Sequence, residues 1–195
     1  MRYSFALLAL LLTACSGGAV PAYYALNLPT AKSVTAAQQT AGERLVVTRV
    51  TLPEYLNDMG IAYQQDDVQV VTANQARWAE ALDKQLTQAL VMGLSGRLSG
   101  VQVIDGADGR PDIWRLSIEV SGFQGRFDGK AVVAGRWVLQ RGDQIHSQPF
   151  LRLIPLAEDG YPALVRALRD GWQQEIDELA GILTTKLTPA GYGGK

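Results

Sequence analysis

Residues 114–120 alternate strictly between apolar and polar side chains. Successive side chains of a β-strand point to opposite faces of the sheet, so this segment predicts a strand with one buried and one exposed face. Such a strand is typical of an antiparallel sheet that carries a second layer on its apolar side. The predicted buried set is Trp114, Leu116, Ile118 and Val120. A chain with this segment is expected to fold around a sheet that is covered on one face.

Turn signals extend this strand into a meander. Asp128-Gly129 precedes a predicted strand over Ala131–Gln140, and Gly142-Asp143 separates that strand from one over Gln144–Leu153. Dipeptides of Asp and Gly favour tight hairpin turns, because glycine adopts the left-handed backbone conformation without strain. Shorter strands are predicted upstream, namely Tyr23–Leu28, Leu45–Leu52, Ile61–Gln65, Val68–Thr72 and Val101–Ile104. The strands on either side of Asp66-Asp67 are expected to form a hairpin. A polar loop is predicted over Pro29–Gly42.

Two segments predict helices, because their apolar residues recur every three or four positions. The first covers Gln75–Leu98, with Thr72 or Asn74 as its cap. The stripes are Trp78, Leu82, Leu86, Leu90 and Leu94 in the first helix and Val165, Leu168, Trp172, Ile176, Leu179 and Leu183 in the second. Since each helix has one apolar stripe, we predict an α+β fold: a mostly antiparallel sheet with two long amphipathic helices packed on one face.

The N-terminus predicts export and lipidation. Residues 1–14 hold an early Arg2 and an apolar run of eight residues, which is too short to span a bilayer and is typical of a secretory signal peptide. Leu12, Thr13 and Ala14 precede Cys15, the only cysteine, in an order that resembles the bacterial lipobox. We therefore predict palmitate and diacylglycerol attached covalently at Cys15. Residues 15–22 then form a lipidated tether, residues 23–187 a single periplasmic domain, and residues 188–195 a flexible tail.

Ser16 follows the cysteine, where an Asp would resemble the inner-membrane retention signal of enteric bacteria. The predicted location is accordingly the periplasmic face of the outer membrane. At about 3.3 Å per residue the tether is short, so the domain is expected to stay close to the membrane that anchors it.

Composition argues against several other classes of protein. The chain has 18 Lys and Arg against 19 Asp and Glu, so it lacks the excess of basic residues that is typical of nucleic-acid-binding proteins. One histidine and one cysteine cannot supply a His/Cys zinc site. We predict no catalytic residue, no metal site, no nucleic-acid partner and no cofactor beyond the covalent lipid.

Three segments approach known catalytic or phosphate motifs without completing them. Gly93–Arg97 resembles a nucleophile elbow, but Arg97 replaces the last glycine and the segment lies within a predicted helix. Gly125–Lys130 resembles a phosphate loop, but it is one residue short and lies in a hairpin. His146, close in sequence to Asp143, is expected on a solvated strand face, which does not favour a role as catalytic base.

Aromatic residues supply the candidate contact surface. All four tryptophans fall on predicted helix stripes or strands and are expected in the core, namely Trp78, Trp114, Trp137 and Trp172. Tyr23, Tyr24, Tyr55 and Tyr63 cluster in the N-terminal half. If they are exposed together, these tyrosines mark a surface for a partner or a lipid.

Several short motifs occur in a characteristic order. These are Tyr23-Tyr24-x-Leu26 after the lipobox, Leu52-Pro53-x-Tyr55-Leu56, Trp78-Ala79-Glu80-x-Leu82, and a helix from Ala163-Leu164 to Leu183. With them the chain resembles the PqiC/YmbA family of ABC-type transport auxiliary lipoproteins over essentially the whole mature domain. The resemblance implies an α+β fold, no catalytic residues, and work with an MCE-domain protein and an inner-membrane component in moving lipids between membranes. Asn57 and Asp58 depart from the family pattern, which often has a basic residue there.

Two functional hypotheses follow. The first is a non-enzymatic docking or conduit subunit of a lipid transport system that maintains the envelope; since MCE assemblies are rings, this subunit is expected to form a homo-oligomeric ring as well. The alternative is an envelope lipoprotein that serves as an assembly or scaffold factor for other outer-membrane machinery. A periplasmic hydrolase is a remote third class, with His146 as its best base.

Overall fold

The computed structural model of the protein describes residues 20–26, 43–110 and 112–187. The strands are β1 Ala22–Tyr24, β2 Glu43–Thr51, β3 Gly60–Gln64, β4 Val70–Trp78, β5 Val101–Asp105, β6 Trp114–Gly125, β7 Lys130–Arg141 and β8 Gln144–Pro155, and the helices are α1 Leu82–Ser95 and α2 Tyr161–Leu187. A short 3-10 turn, Glu54–Leu56, joins β2 to β3. The signal peptide, Leu12, Thr13, Ala14, Cys15, the loop Pro29–Gly42 and the tail 188–195 lie outside the described residues.

The long strand β6 organises the sheet. On one edge it pairs with β2 along its first half and with β3 at its end, while β7 lies along its other edge. The strands follow the order β1-β4-β3-β6-β2-β5, and β7 and β8 continue the sheet beyond β6. The α+β class is confirmed.

The predicted meander is confirmed as the longest antiparallel part of the sheet. β7 pairs with β6 and β8 over nearly its whole length, and Gly129 and Gly142 adopt positive φ in the two turns. The predicted hairpin around Asp66-Asp67 is also present, as β3 and β4. The sheet as a whole is mixed, because β1 is parallel to β4, β2 is parallel to β5 and β6, and β3 is parallel to β6.

Both helices bury their apolar stripes in one continuous core. The 27-residue α2 lies on β6, β7 and β8, and the shorter α1 packs against β2, β5 and α2. The helices approach closely at Gly93, where an added Cβ would lie 2.7 Å from Ile176 Cγ2. Neither described helix combines the length and apolarity needed to cross a bilayer.

The predicted start of the first helix is wrong. Trp78 is the last residue of β4 rather than part of a helical stripe, and α1 begins only at Leu82. The Trp78 amide donates to Met59 O at 2.7 Å, and its indole packs 6.2 Å from Phe123 in the core. Strand pairing and burial therefore determine its conformation, and the four-residue spacing from Trp78 to Leu82 reflects two elements that face the same core. Thr72 and Asn74 lie within β4 and cannot cap α1.

On the side of the sheet away from the helices, the loop after β5 covers one end. Val46 is fully buried although it lies outside the helix-side core. Its neighbour in β6 is Arg115, whose guanidinium donates to the carbonyls of Asp108 and Arg110 in that loop. Arg44 adds an ion pair with Asp108 at 3.1 Å. The described contacts of this loop are with β2 and β6.

Candidate functional site

The side of β7 and β8 that faces away from the helices exposes an apolar surface. Leu151 and Leu153 in β8 are 60% and 40% exposed. Their cross-strand neighbours in β7 are Ala134 and Val132, and Ala134 in turn lies opposite Gly122 in β6. We call these five residues, Gly122, Val132, Ala134, Leu151 and Leu153, the open sheet face.

The sequence of β7 explains why this face is apolar. Alternate residues point to the helices and are buried, namely Ala131, Val133, Gly135, Trp137 and Leu139. The residues between them point outward, and only Arg136 among Val132, Ala134, Arg136 and Val138 is charged. An exposed sheet face normally carries polar residues, so a contiguous apolar patch indicates a surface for binding a partner.

Tyr55 borders the open sheet face through an irregularity in β6. The register of β6 against β7 shifts between Val120 and Gly122. The Tyr55 hydroxyl lies 3.2 Å from Ser121 O and 3.1 Å from Gln124 Oε1, and Gln124 Oε1 also accepts the Phe123 amide at 2.8 Å. Burial raises the pKa of Tyr55, so this phenol stays protonated as a donor at neutral pH. The contact fixes the 3-10 turn beside the bulged strand.

The other predicted tyrosines lie elsewhere. Tyr24 and Tyr63 pack on either side of Tyr161, with ring centroids 6.4 Å and 6.2 Å from it, whereas Tyr23 is 62% exposed on β1. Burial, together with Tyr63, raises the pKa of Tyr161. The structure thus joins Tyr24 and Tyr63 but leaves Tyr23 and Tyr55 apart from them. Tyr161 contacts both of them, and nothing in the sequence indicated this contact beyond the position of Tyr161 at the start of a helix.

His146 is half-buried rather than solvated as predicted. Its ring lies 6.4 Å from the Trp114 ring, and its Nδ1 is 3.5 Å from Lys186 Nζ at the end of α2. β8 turns this residue towards the helix side, while its neighbour Ile145 points outward and is 62% exposed. The contacts described for the imidazole are thus an indole ring and an ammonium group.

The other near-motifs have structural roles. Ser95 Oγ donates to Val91 O within α1 at 2.7 Å. Asp66 accepts the amides of Val68 and Gln69 at the β3–β4 turn, which lowers its pKa. In the Gly125–Lys130 segment, Lys130 Nζ lies 3.2 Å from Asp128 Oδ2 across the turn. All four tryptophans are buried as predicted. Within the described ranges no three His, Cys, Asp or Glu side chains are placed to share a metal ion.

A solvent-open groove of about 670 Å³ runs between α1 and β2. Val50, Val91 and Met92 form its apolar part. Charged side chains line it as well, namely Arg49, Asp83, Lys84 and Asp105. Burying an acyl chain beside these groups would remove them from water, which is costly unless each is paired. The groove is therefore poorly suited to hold a lipid tail, and the open sheet face is the better candidate for contact.

Several known proteins are similar to this chain in sequence or in fold. A curated relative, the intermembrane transport lipoprotein PqiC of Escherichia coli strain K12, is 38% identical over 173 residues, which cover 88% of this chain and 91% of the relative. The PqiC of Shigella flexneri matches to the same extent. A crystal structure of an uncharacterized protein has 35% identity and a TM-score of 0.74, covering 84% of this chain and 99% of that chain. Protein XCC0632 from Xanthomonas campestris shares the fold, with 17% identity, a TM-score of 0.65, and coverage of 84% and 95%.

The family assignment rests on these sequence matches together with a family model. The model described as the ABC-type transport auxiliary lipoprotein component matches residues 24–180, which span β1 to the last turns of α2 and include the open sheet face. The chain therefore belongs to the ABC-type transport auxiliary lipoprotein family.

Proposed function

We propose that this protein is a non-enzymatic auxiliary subunit of an MCE/ABC-type intermembrane lipid transport system, anchored by Cys15 at the periplasmic face of the outer membrane. In this role its surface binds the end of an MCE-domain protein, which works with an inner-membrane component. The system as a whole moves lipids between the membranes and so helps to maintain the envelope. The relatives named as intermembrane transport lipoproteins support the transport role. The lipobox at Leu12 to Cys15 supports the anchor.

The open sheet face is the observation that carries the docking role. A subunit that docks a partner needs an apolar surface that is preformed and accessible, and Leu151 and Leu153 provide one on a rigid sheet. Tyr55 at its border adds an aromatic side chain with a polar tip, a type enriched in protein interfaces. The described residues offer a surface for binding rather than a nucleophile paired with a base.

We further propose that several copies assemble into a ring around the transport path. Among the described strands β8 pairs only with β7, so its other edge, 12 residues long and next to the open sheet face, has no described partner. An unpaired edge beside an apolar patch favours contact with another chain, since both backbone groups and side chains then gain partners. A native mass of one copy in detergent at high protein concentration would contradict the ring.

The test is affinity purification of tagged, full-length protein from detergent-solubilised envelopes, with identification of the proteins and lipids that co-purify and a native mass. Recovery of an MCE-domain protein is the expected result. Recovery of outer-membrane assembly machinery instead would support the scaffold role and contradict transport.

Cys15→Ala provides the matched control for the anchor. Cys15 precedes every described element, so the variant is expected to fold as the wild type does but to leave the membrane fraction. Loss of the anchor lowers the effective concentration at the membrane, so partner recovery should fall as well. A Cys15→Ala protein that still sediments with outer membranes would contradict the lipidation.

A further inference from the structure

Two turns of the sheet lie at the same end of the molecule. β3 runs parallel to β6, with Tyr63 opposite Gly125, so both strands end on the same side. The β3–β4 turn and the β6–β7 turn follow directly from those ends. The β7–β8 turn lies at the opposite end, about 36 Å away along β7 at ~3.3 Å per residue.

β1 runs away from the end with the two turns. It is parallel to β4, with Ala22 opposite Ala76 and Tyr24 opposite Trp78 in the last part of that strand. Because β4 begins at the β3–β4 turn, Ala22 is the residue of β1 nearest to that turn. Six residues lie between Cys15 and Ala22, and the seven Cα–Cα steps that join them reach at most about 23 Å. A lipid on Cys15 would therefore keep this end near its bilayer.

Each of the two turns exposes an apolar side chain at its tip. Val68 in the β3–β4 turn is 85% exposed, and Phe127 in the β6–β7 turn is 53% exposed. The Arg126 guanidinium lies 5.8 Å from the centre of the Phe127 ring. An aromatic ring beside a basic side chain is a pairing found where proteins meet lipid headgroups, since the ring enters the boundary and the cation stays hydrated.

The charges at this end are predominantly acidic, because the β8–α2 loop, which holds Glu158 and Asp159, lies against the β6–β7 turn through the Leu156 amide, a donor to Gly129 O. Arg126 and Lys130 each lie 3.2 Å from Asp128, and the carboxylate of Asp66 is held by backbone amides of its own turn. Asp67 beside it is also acidic, so anionic lipid gains no net attraction. Contact with a bilayer at this end must therefore come from the apolar tips and from the anchor.

We propose that the β3–β4 and β6–β7 turns rest on the bilayer that anchors the chain, with Val68 and Phe127 in its headgroup region. The inference rests on the lipidation of Cys15 in the proposed function and adds a fixed orientation to it. The sheet then stands upright on the membrane, with the β7–β8 turn farthest from the surface. The open sheet face lies alongside, accessible to a partner from the periplasm.

Fluorescent labelling at single introduced cysteines tests this orientation. Because Cys15 is the only cysteine and is blocked by lipid, Val68→Cys and Phe127→Cys each introduce one reactive thiol into the full-length protein. An environment-sensitive fluorophore is attached there, and the protein is reconstituted into vesicles of phosphatidylethanolamine and phosphatidylglycerol. Ile145→Cys is the matched control, since Ile145 is also apolar and 62% exposed but lies beside the β7–β8 turn. Flotation of the vesicles reports the anchor separately.

The expected result is a blue shift of emission at positions 68 and 127, with quenching by spin-labelled lipid, and neither effect at position 145. Flotation of all three proteins with aqueous emission at 68 and 127 would overturn the orientation while leaving the anchor intact. Equal shifts at all three positions would overturn it too, because the domain would then lie flat. Failure to float would overturn the anchor and the orientation together.

Discussion

Arg152 in β8 donates two hydrogen bonds to the buried carboxylate of Glu175 in α2, at 3.2 Å from Nε and 2.8 Å from Nη2. Glu175 is 2% exposed, and Arg152 also pairs with the more exposed Glu178. The pair joins the edge strand of the sheet to the long helix. It therefore holds β8, and the open sheet face on its other side, against the core.

Arg152→Ala should lower the free energy of unfolding by about 3 kcal/mol, because it leaves a buried carboxylate without its partner. Glu175→Gln keeps an acceptor for Arg152 and removes the buried charge, so it should cost far less. Urea unfolding of both variants and of the double variant measures the coupling. A double variant whose loss equals the sum of the two single losses would show that the two side chains are not coupled.

The same pair predicts a pH dependence. Burial raises the pKa of Glu175 above the ordinary value of 4.5, and Arg152 partly opposes the shift. A raised pKa means that the folded state binds this proton more tightly than the unfolded chain. The contribution to stability is complete below the ordinary value and is lost as the pH rises through the folded-state pKa. Glu175→Gln should abolish this slope in urea midpoints measured across pH, and Arg152→Ala should extend it to higher pH.

Two glycines of α2 form a matched pair for testing how closely the helix packs on the sheet. A Cβ at Gly171 would lie 2.8 Å from Val133 Cγ2 and 3.2 Å from Ile154 Cγ1, whereas nothing lies within 4 Å of one at Gly181. Gly171→Ala should destabilise by about 1–2 kcal/mol because the core must move. Gly181→Ala should stabilise by about 0.5–1 kcal/mol through helix propensity alone. Stabilisation by both changes, seen in thermal or urea unfolding, would mean that the helix moves freely.

The sequence predicts the parts of this fold that local pattern controls. Strict alternation with glycine turns is sufficient for the β6–β8 meander, and a long stripe of apolar residues is sufficient for α2. Pattern does not specify which strands become neighbours, so the parallel contacts of β1, β2 and β3 could not be predicted. The run Leu45, Val46 and Val47 did contain a signal, because three consecutive apolar residues indicate a strand covered on both faces.

Helix and strand periods become ambiguous where two elements meet at one core. Trp78 and Leu82 both point into it, so their spacing mimics one helix although β4 ends between them. For the candidate site, Tyr55 could be proposed from sequence as a surface residue. Its place beside the open sheet face depends on the bulge after Val120, which no local pattern indicates. Leu151 and Leu153 look like ordinary core residues until the strand order places them on the side of the sheet that no described element covers.

Tyr55→Phe should remove the hydroxyl contacts with Ser121 O and Gln124 Oε1 while keeping the ring. Gln124 Oε1 retains the Phe123 amide as a donor, so the expected loss in unfolding free energy is only about 1 kcal/mol. In ultraviolet titration of the wild type, the phenols of Tyr55 and Tyr161 should both ionise above the ordinary tyrosine range, and the variant should lack one of the two. An unchanged titration curve would contradict the burial of this hydroxyl.

Leu151→Lys should reduce binding of the transport partner without unfolding the protein. The Leu151 side chain is exposed and is not part of the buried core, so the free energy of unfolding should change by less than about 0.5 kcal/mol. A lysine at the centre of an apolar contact must be desolvated on binding, and capture of the proposed MCE-domain partner should fall by about tenfold. Gln174→Lys places the same charge on the exposed side of α2 and should leave capture unchanged. Equal capture by both variants would exclude the open sheet face as the docking surface, whereas selective loss with Leu151→Lys would assign it to the partner.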